Sequence, residues 1–325
     1  MSSQQLAVLE DLCGWRSVGH RAVLLTVCRT WSSSPSAPGS LCAIREDGRL
    51  SGSVSGGRIE DELIDRVRSG VYWDRPARML CYVGDDSDPG QRLPAGASLA
   101  LALEPSPDPE EILAALEALR ERNVLCRELD LDTGTVVTRR VEGTTRGAVS
   151  VQGRRVRNLL RPGWRVLPVG AAGLVQSIVQ LARFVHFDVV DFPLPSGGEP
   201  LSGQAARLLS DSIGLTGLDP LTVVLMLGDV PAGIGQAIAT AAGCVGAYRC
   251  VLAKAGHGHD LGPGADTTSL TVCSSGDIPE EIAVSVFSAL IELRARHLKS
   301  GDNPEAIRVL SRGDFHGPAS VSATT

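Results

Sequence analysis

Between residues 165 and 242 the chain alternates short apolar runs with helical patterns: RVLPVG (165–170), a helix over 173–184, FDVVDF (187–192), a helix over 202–213, TVVLMLGD (222–229) and a helix over 234–242. The runs are almost continuously apolar, and a strand of that composition has to be covered on both faces. Helices between successive strands supply the cover, so the pattern predicts a Rossmann-like parallel sheet wrapped by helices. A last helix is expected over 279–297.

The first half follows a different rule. A helix over 3–16 leads to strands over 21–31 and 40–46, with turn residues SSSPSAPGS between them and EDG (46–48) closing a hairpin. Strands over 77–84 and 97–104 follow, and Asp108 with Pro109, Glu110 and Glu111 signals a helix running to 122. Short β-like runs from 123 to 156 suggest a meander completing this part. The fold class expected is α/β, with an N-terminal α+β domain (1–156) followed by a Rossmann-like parallel-sheet domain (164–300) and a C-terminal tail (301–325). Pro162-Gly163 is the natural breaker between the domains.

A formal net charge of -6, with no dense Lys/Arg cluster, argues against a nucleic-acid partner. No apolar run is long enough to span a bilayer, and the N-terminus lacks the pattern of a secretory signal, so a cytoplasmic protein is expected. The eight cysteines are scattered singly, without C-x-x-C or zinc-finger spacing, and most are expected to be small buried hydrophobes.

Three segments carry candidate chemistry. In RVLPVGAAGLVQS (165–177) a dinucleotide fingerprint wants G-x-G-x-x-G; Gly170 holds the first place, Ala172 the second and Val175 the third, with Gly173 between them. Asp191, at the end of the next strand, stands where an acid accepts hydrogen bonds from a ribose. NAD(P) or FAD is therefore one cofactor class the scaffold suggests. His257, His259 and Asp260 have the donor chemistry of a metal site, yet their Gly-rich setting fits a solvated connection, and no metal is assigned.

The third segment is GSVSGGRIEDELIDR (52–66). Ser55, Gly56 and Gly57 can form a backbone N–H nest for an anion, to which Arg58 adds a guanidinium. Alternatively it is a tight turn opening a helix: Glu60, Asp61 and Glu62 suit a helix N-terminus, and Ile59, Leu63 and Val67 form a core face. No catalytic residue is assigned, because no Ser-His-Asp pattern or framed carboxylate pair is present.

Two segments together, TVCRTWSSSPSAPGSLCAIREDGRLSGSVSGGRIEDELID (26–65) and IPEEIAVSVFSALIELRAR (278–296), resemble the signature ends of the XdhC/CoxI-type proteins, the xanthine dehydrogenase accessory factors. The resemblance implies a maturation chaperone, a homodimer, that binds molybdenum cofactor, assists its sulfuration with a cysteine desulfurase and hands it to a molybdenum hydroxylase. It implies a cofactor site built from Ser55, Gly56, Gly57 and Arg58 with Gly170, Gly173 and Asp191. The chain departs from the family where Arg58 replaces the cysteine after Gly-Gly and Ala95 replaces a second one. It departs again at Gly170-Ala171-Ala172-Gly173, Leu227-Gly228-Asp229 and Gly246-Ala247-Tyr248-Arg249. An NAD(P)- or flavin-dependent oxidoreductase on the same scaffold is the alternative reading.

Overall fold

The computed structural model describes residues 2–74, 76–84, 93–141, 147–190, 218–227, 242, 247–254, 269–274 and 278–299. The chain divides into two compact units, whose main bodies are Met1–Pro162 and Gly163–His297.

The first unit is built on an antiparallel five-stranded sheet, β1 (Ala22–Arg29), β2 (Leu41–Arg45), β3 (Leu50–Gly52), β4 (Arg78–Val83) and β5 (Ser98–Pro105), in the order β3-β2-β1-β5-β4. Central β1 is buried along Ala22–Val27 because helices cover both of its faces. Val23, Leu25 and Val27 pack with Ile59, Leu63 and Val67 of α2 (Glu60–Arg68) and the residue before it. Ala22 and Leu24 pack with Val8, Leu9 and Leu12 of α1 (Ser2–Ser17) and with Ile112, Leu116 and Leu119 of α3 (Pro109–Arg120). Each fully buried aliphatic side chain in these layers contributes about 1.5–3 kcal/mol of transfer free energy. The start of α3 is the one its sequence signals: the Asp108 side chain accepts from Glu110 N (3.1 Å) and Pro109 opens the first turn.

A second, four-stranded antiparallel sheet comprises β6 (Val124–Asp130), β7 (Val136–Val141), β8 (Val149–Gln152) and β9 (Arg155–Leu160) in the order β7-β6-β9-β8. It is two hairpins joined through β6 and β9, not the simple meander expected. The join sets Leu125 opposite Leu160 and Leu129 opposite Val156, all four buried, so one apolar stripe closes onto the first sheet. In the same inward row, between Leu125 and Leu129, sits Arg127. Its guanidinium makes a two-point contact with Glu104 of β5 (Nη1–Oε2 2.7 Å, Nη2–Oε1 2.9 Å) and also reaches Glu111 of α3 (Nη2–Oε2 2.9 Å).

The second unit holds five parallel strands, β10 (Arg165–Gly170), β11 (Asp188–Val189), β12 (Thr222–Leu227), β13 (Tyr248–Lys254) and β14 (Ser269–Ser274), in the order β11-β10-β12-β13-β14. Helix α4 (Ala172–Phe184) and the last helix, α5 (Pro279–Lys299), pack on one face, where Leu174, Ile178, Val286, Phe287 and Leu290 meet Val166, Val223 and Leu225. The α/β architecture expected of this half is thus present. Its chain leaves β10 toward β11 on one side and returns to β12 on the other, so a topological switch point lies at the carboxyl ends of β10 and β12. The helices expected over 202–213 and 234–242 lie outside the described residues except for Ala242, as do Asp191, the histidine-bearing loop 255–266 and the tail expected over 301–325. Among the described residues no helix is long and apolar enough to cross a membrane.

Candidate functional site

The segment joining β3 to α2 turns sharply because two consecutive glycines, Gly56 (φ 74°) and Gly57 (φ 90°), take left-handed backbone conformations. At Gly56 a Cβ would also collide with the Pro35 ring, whereas at Gly57 it would meet open space. Pro35 belongs to the SSSPSAPGS turn, and the neighbouring Ser36 Oγ donates to Ser53 O (3.1 Å). One turn therefore buttresses the other.

The amides of this loop converge as a nest would require, and the anion inside the nest is the chain's own. Glu60, the first residue of α2, folds back beneath the loop and is only 3% exposed. Its Oε1 accepts from Ser53 Oγ (2.7 Å), Val54 N (2.9 Å) and Ser55 N (2.9 Å). Its Oε2 accepts from Ser55 Oγ, Gly57 N (3.0 Å) and Ile59 N (3.2 Å). The two other amides of the turn go to serines: Gly56 N to Ser53 Oγ (2.9 Å) and Arg58 N to Ser55 Oγ (3.0 Å). Every backbone donor from Val54 to Ile59 is thereby engaged, as burial demands.

Burial by itself drives the Glu60 carboxyl upward. The hydrogen bonds from the Ser55 and Ser53 side chains and the Ser55 and Val54 amides outweigh it and hold the group down at about 2, against an ordinary 4.5. Ser55 is fully buried, while Gly56, Gly57 and Arg58 form an exposed tip. The exposed part of the loop is this tip; Ser55 and the amides work inward. Sequence reasoning assigned Glu60 to the helix dipole and missed its larger part. The signal available was two serines, Ser53 and Ser55, upstream of Glu60, the first of three successive acids.

In the second unit Gly170 ends β10 in register with Leu227 of β12. Its φ of 148° and the closeness of the Leu227 carbonyl, into which a Cβ would run, make glycine necessary there. Ala171 N donates to that carbonyl (3.3 Å), locking the turn to the neighbouring strand. Helix α4 then starts without a side-chain cap, since Ala171 has none to give. Ala171, Ala172 and Gly173 are exposed, and the space beside the Gly173 Cα is open. This first turn can receive an anion by its backbone donors and dipole. Gly170 and Gly173 belong to this unit and Ser55 to Arg58 to the other.

Ala95 and Gly96 lie in an exposed turn, with Ala97 N donating to Pro94 O (2.9 Å). The cysteines are less uniform than expected: Cys42 and Cys250 are buried, Cys13, Cys28 and Cys126 are partly so, and Cys81 is exposed because β4 is an edge strand. Burial pushes the Cys28 and Cys250 thiols up to about 12, which leaves them unreactive at neutral pH. Among the described residues no group of three or more His, Cys, Asp or Glu side chains is placed to hold a metal.

Residues 15–82, from the end of α1 through β4 and including the whole Glu60-centred loop, match the model of the XdhC and CoxI family. A solved structure from Bacillus halodurans, described as a xanthine dehydrogenase, is similar with a TM-score of 0.63 over 91% of this chain and 98% of that one, at 17% identity. At that identity the likeness is one of fold. No curated protein matches the chain significantly.

Proposed function

We propose, on the premise that residues 15–82 make this chain an XdhC/CoxI-type protein, that it acts as an accessory factor for a molybdenum hydroxylase, holding molybdenum cofactor and passing it on. The observation that carries this reading is the uncapped, exposed first turn of α4 at a topological switch point, with room beside Gly173. The residues present fit the phosphate end of such a cofactor and do not fit a thiolate bond to its metal, since Arg58 and Ala95 stand where thiols were expected. In this reading the backbone donors of Ala172 and Gly173 hold the phosphate, and Gly170 keeps the turn closed against β12. Asp191 is the acid that would meet a polar edge of the ligand. The exposed Gly56-Gly57-Arg58 tip is held rigid by Glu60. A cysteine desulfurase and the client hydroxylase are the partners this role requires.

The test is to purify the chain from cells that make molybdenum cofactor and to measure bound pterin, after oxidation, by fluorescence. The wild type retains pterin, and Gly173→Asp, which puts a carboxylate where the phosphate would sit, loses it. No pterin on the wild type, or equal amounts on both, overturns the proposal. The same turn at a switch point also suits a dinucleotide. A melting shift with NAD(H), NADP(H) or FAD, together with absence of pterin, would favour the redox reading.

A further inference from the structure

Helices α4 and α5 lie side by side and point the same way: Ser177 Oγ donates to Glu280 Oε1 (3.5 Å) near the starts, and Arg294 Nη1 donates to Val185 O (3.4 Å) near the ends. Toward the sheet their contact is filled by Leu174, Ile178, Val286, Phe287 and Leu290. On the outer side a groove of about 280 Å³ runs between them, walled by Leu181, Phe184, Ala283 and Val284. Phe184 is 81% exposed, Val284 60% and Ile291, two turns further along α5, 40%. Scattered apolar side chains on a surface are ordinary, but a phenyl ring standing beside a groove with apolar walls is a contiguous patch, and such patches mark contacts with other molecules.

The charges around the groove decide what fits it. Helix α4 has no Asp or Glu from Ala172 to Phe184 and carries the exposed Arg183 in its last turn. The exposed positions of α5 carry Glu280, Glu281 and Glu292. An anionic lipid surface would be repelled by those three carboxylates. A second copy, turned about a two-fold axis parallel to the helices, lays α4 of each chain on α5 of the other. The contacts at Ser177 and Val185 set Arg183 level with the part of α5 between Phe287 and Arg294, whose exposed acid is Glu292. The alternative two-fold arrangement, α5 on α5, brings the acidic rows of both chains together and is disfavoured by repulsion. The face is about 20 Å long, the length of the shorter helix, and about 20 Å wide, at the low end of stable interfaces.

We infer that this face joins two copies of the chain, with each Phe184 seated in the groove of the other copy and each Arg183 set against the acidic row of the other α5. The partner is thus a second copy of this chain, and the contact stands apart from the cofactor reading above.

Sedimentation velocity of the full chain, from low to high micromolar concentration, tests it. The mass is expected to rise with concentration from 34.1 kDa toward twice that value. Phe184→Asp and Val284→Asp, both at exposed positions and both checked for a wild-type melting transition, keep the chain monomeric throughout. Arg183→Glu and Glu292→Arg each weaken the dimer by about tenfold or more on their own, since each sets like charges opposite one another at both ends of the two-fold contact. An equimolar mixture of these two variants associates again, because opposite charges then meet at both ends. That recovery reads the same interface should Phe184→Asp or Val284→Asp fail to fold. A wild type that is monomeric at every concentration, a dimer that survives Phe184→Asp and Val284→Asp, or a mixture no more associated than its components overturns the inference.

Discussion

Glu60 is the residue on which the signature loop depends. Six hydrogen bonds converge on its two oxygens, and removing the carboxylate would strand the Val54, Ser55 and Gly57 amides, while Ile59 N keeps Ser55 Oγ (3.0 Å). Glu60→Ala should therefore cost about 3 kcal/mol or more, read as a fall in the midpoint of urea unfolding. The effect of pH has a definite sign. The folded-state pKa lies below the ordinary value, so the bonds stabilise the fold fully above 4.5, and that contribution is lost as the pH falls toward about 2. It amounts to roughly 2 kcal/mol after allowance for solvent screening. Thermal melts of the wild type and of Glu60→Gln should converge on acidification through this window. Parallel curves would mean that the carboxylate is not the anion of the nest.

At the scale of elements, the Glu104–Arg127–Glu111 link fastens the two sheets of the first unit to α3. Arg127→Met removes the guanidinium and leaves the buried carboxylate of Glu104 unpaired beside the half-buried Glu111, which should destabilise the unit by about 3 kcal/mol. Replacing all three residues by apolar ones of similar volume should recover much of that loss, as measured by chemical unfolding. This link shows why some of the architecture was legible in the sequence and some was not. The α3 cap and the Ile59, Leu63 and Val67 face of α2 are local patterns, and both are found as expected. Arg127 draws its partners from 16 and 23 residues away on other elements, and no periodicity announces such a contact. The only hint was an arginine at an inward position of the Leu125–Leu129 row. Glu60 was obscured for a different reason: an acid in the first turn of a helix already has a sufficient explanation in the dipole.

For the molecule as a whole, the parallel sheet of the second unit was readable because continuous apolar strands alternating with helices admit few other arrangements. The role of Gly170 was only half readable. Its place in a glycine-rich turn suggested a ligand, while its closeness to the Leu227 carbonyl gives it a structural duty that no spacing rule contains. The proposed carrier role joins a loop that lies within the family match at 15–82 to a helix start that lies outside it. The direct test is transfer. The chain is loaded in cells that make molybdenum cofactor, purified, and mixed with its cofactor-free hydroxylase partner. Hydroxylase activity is expected to appear with loaded chain and not with chain from cofactor-deficient cells. Equal activity with both, or none with either while free cofactor does activate the enzyme, would contradict it.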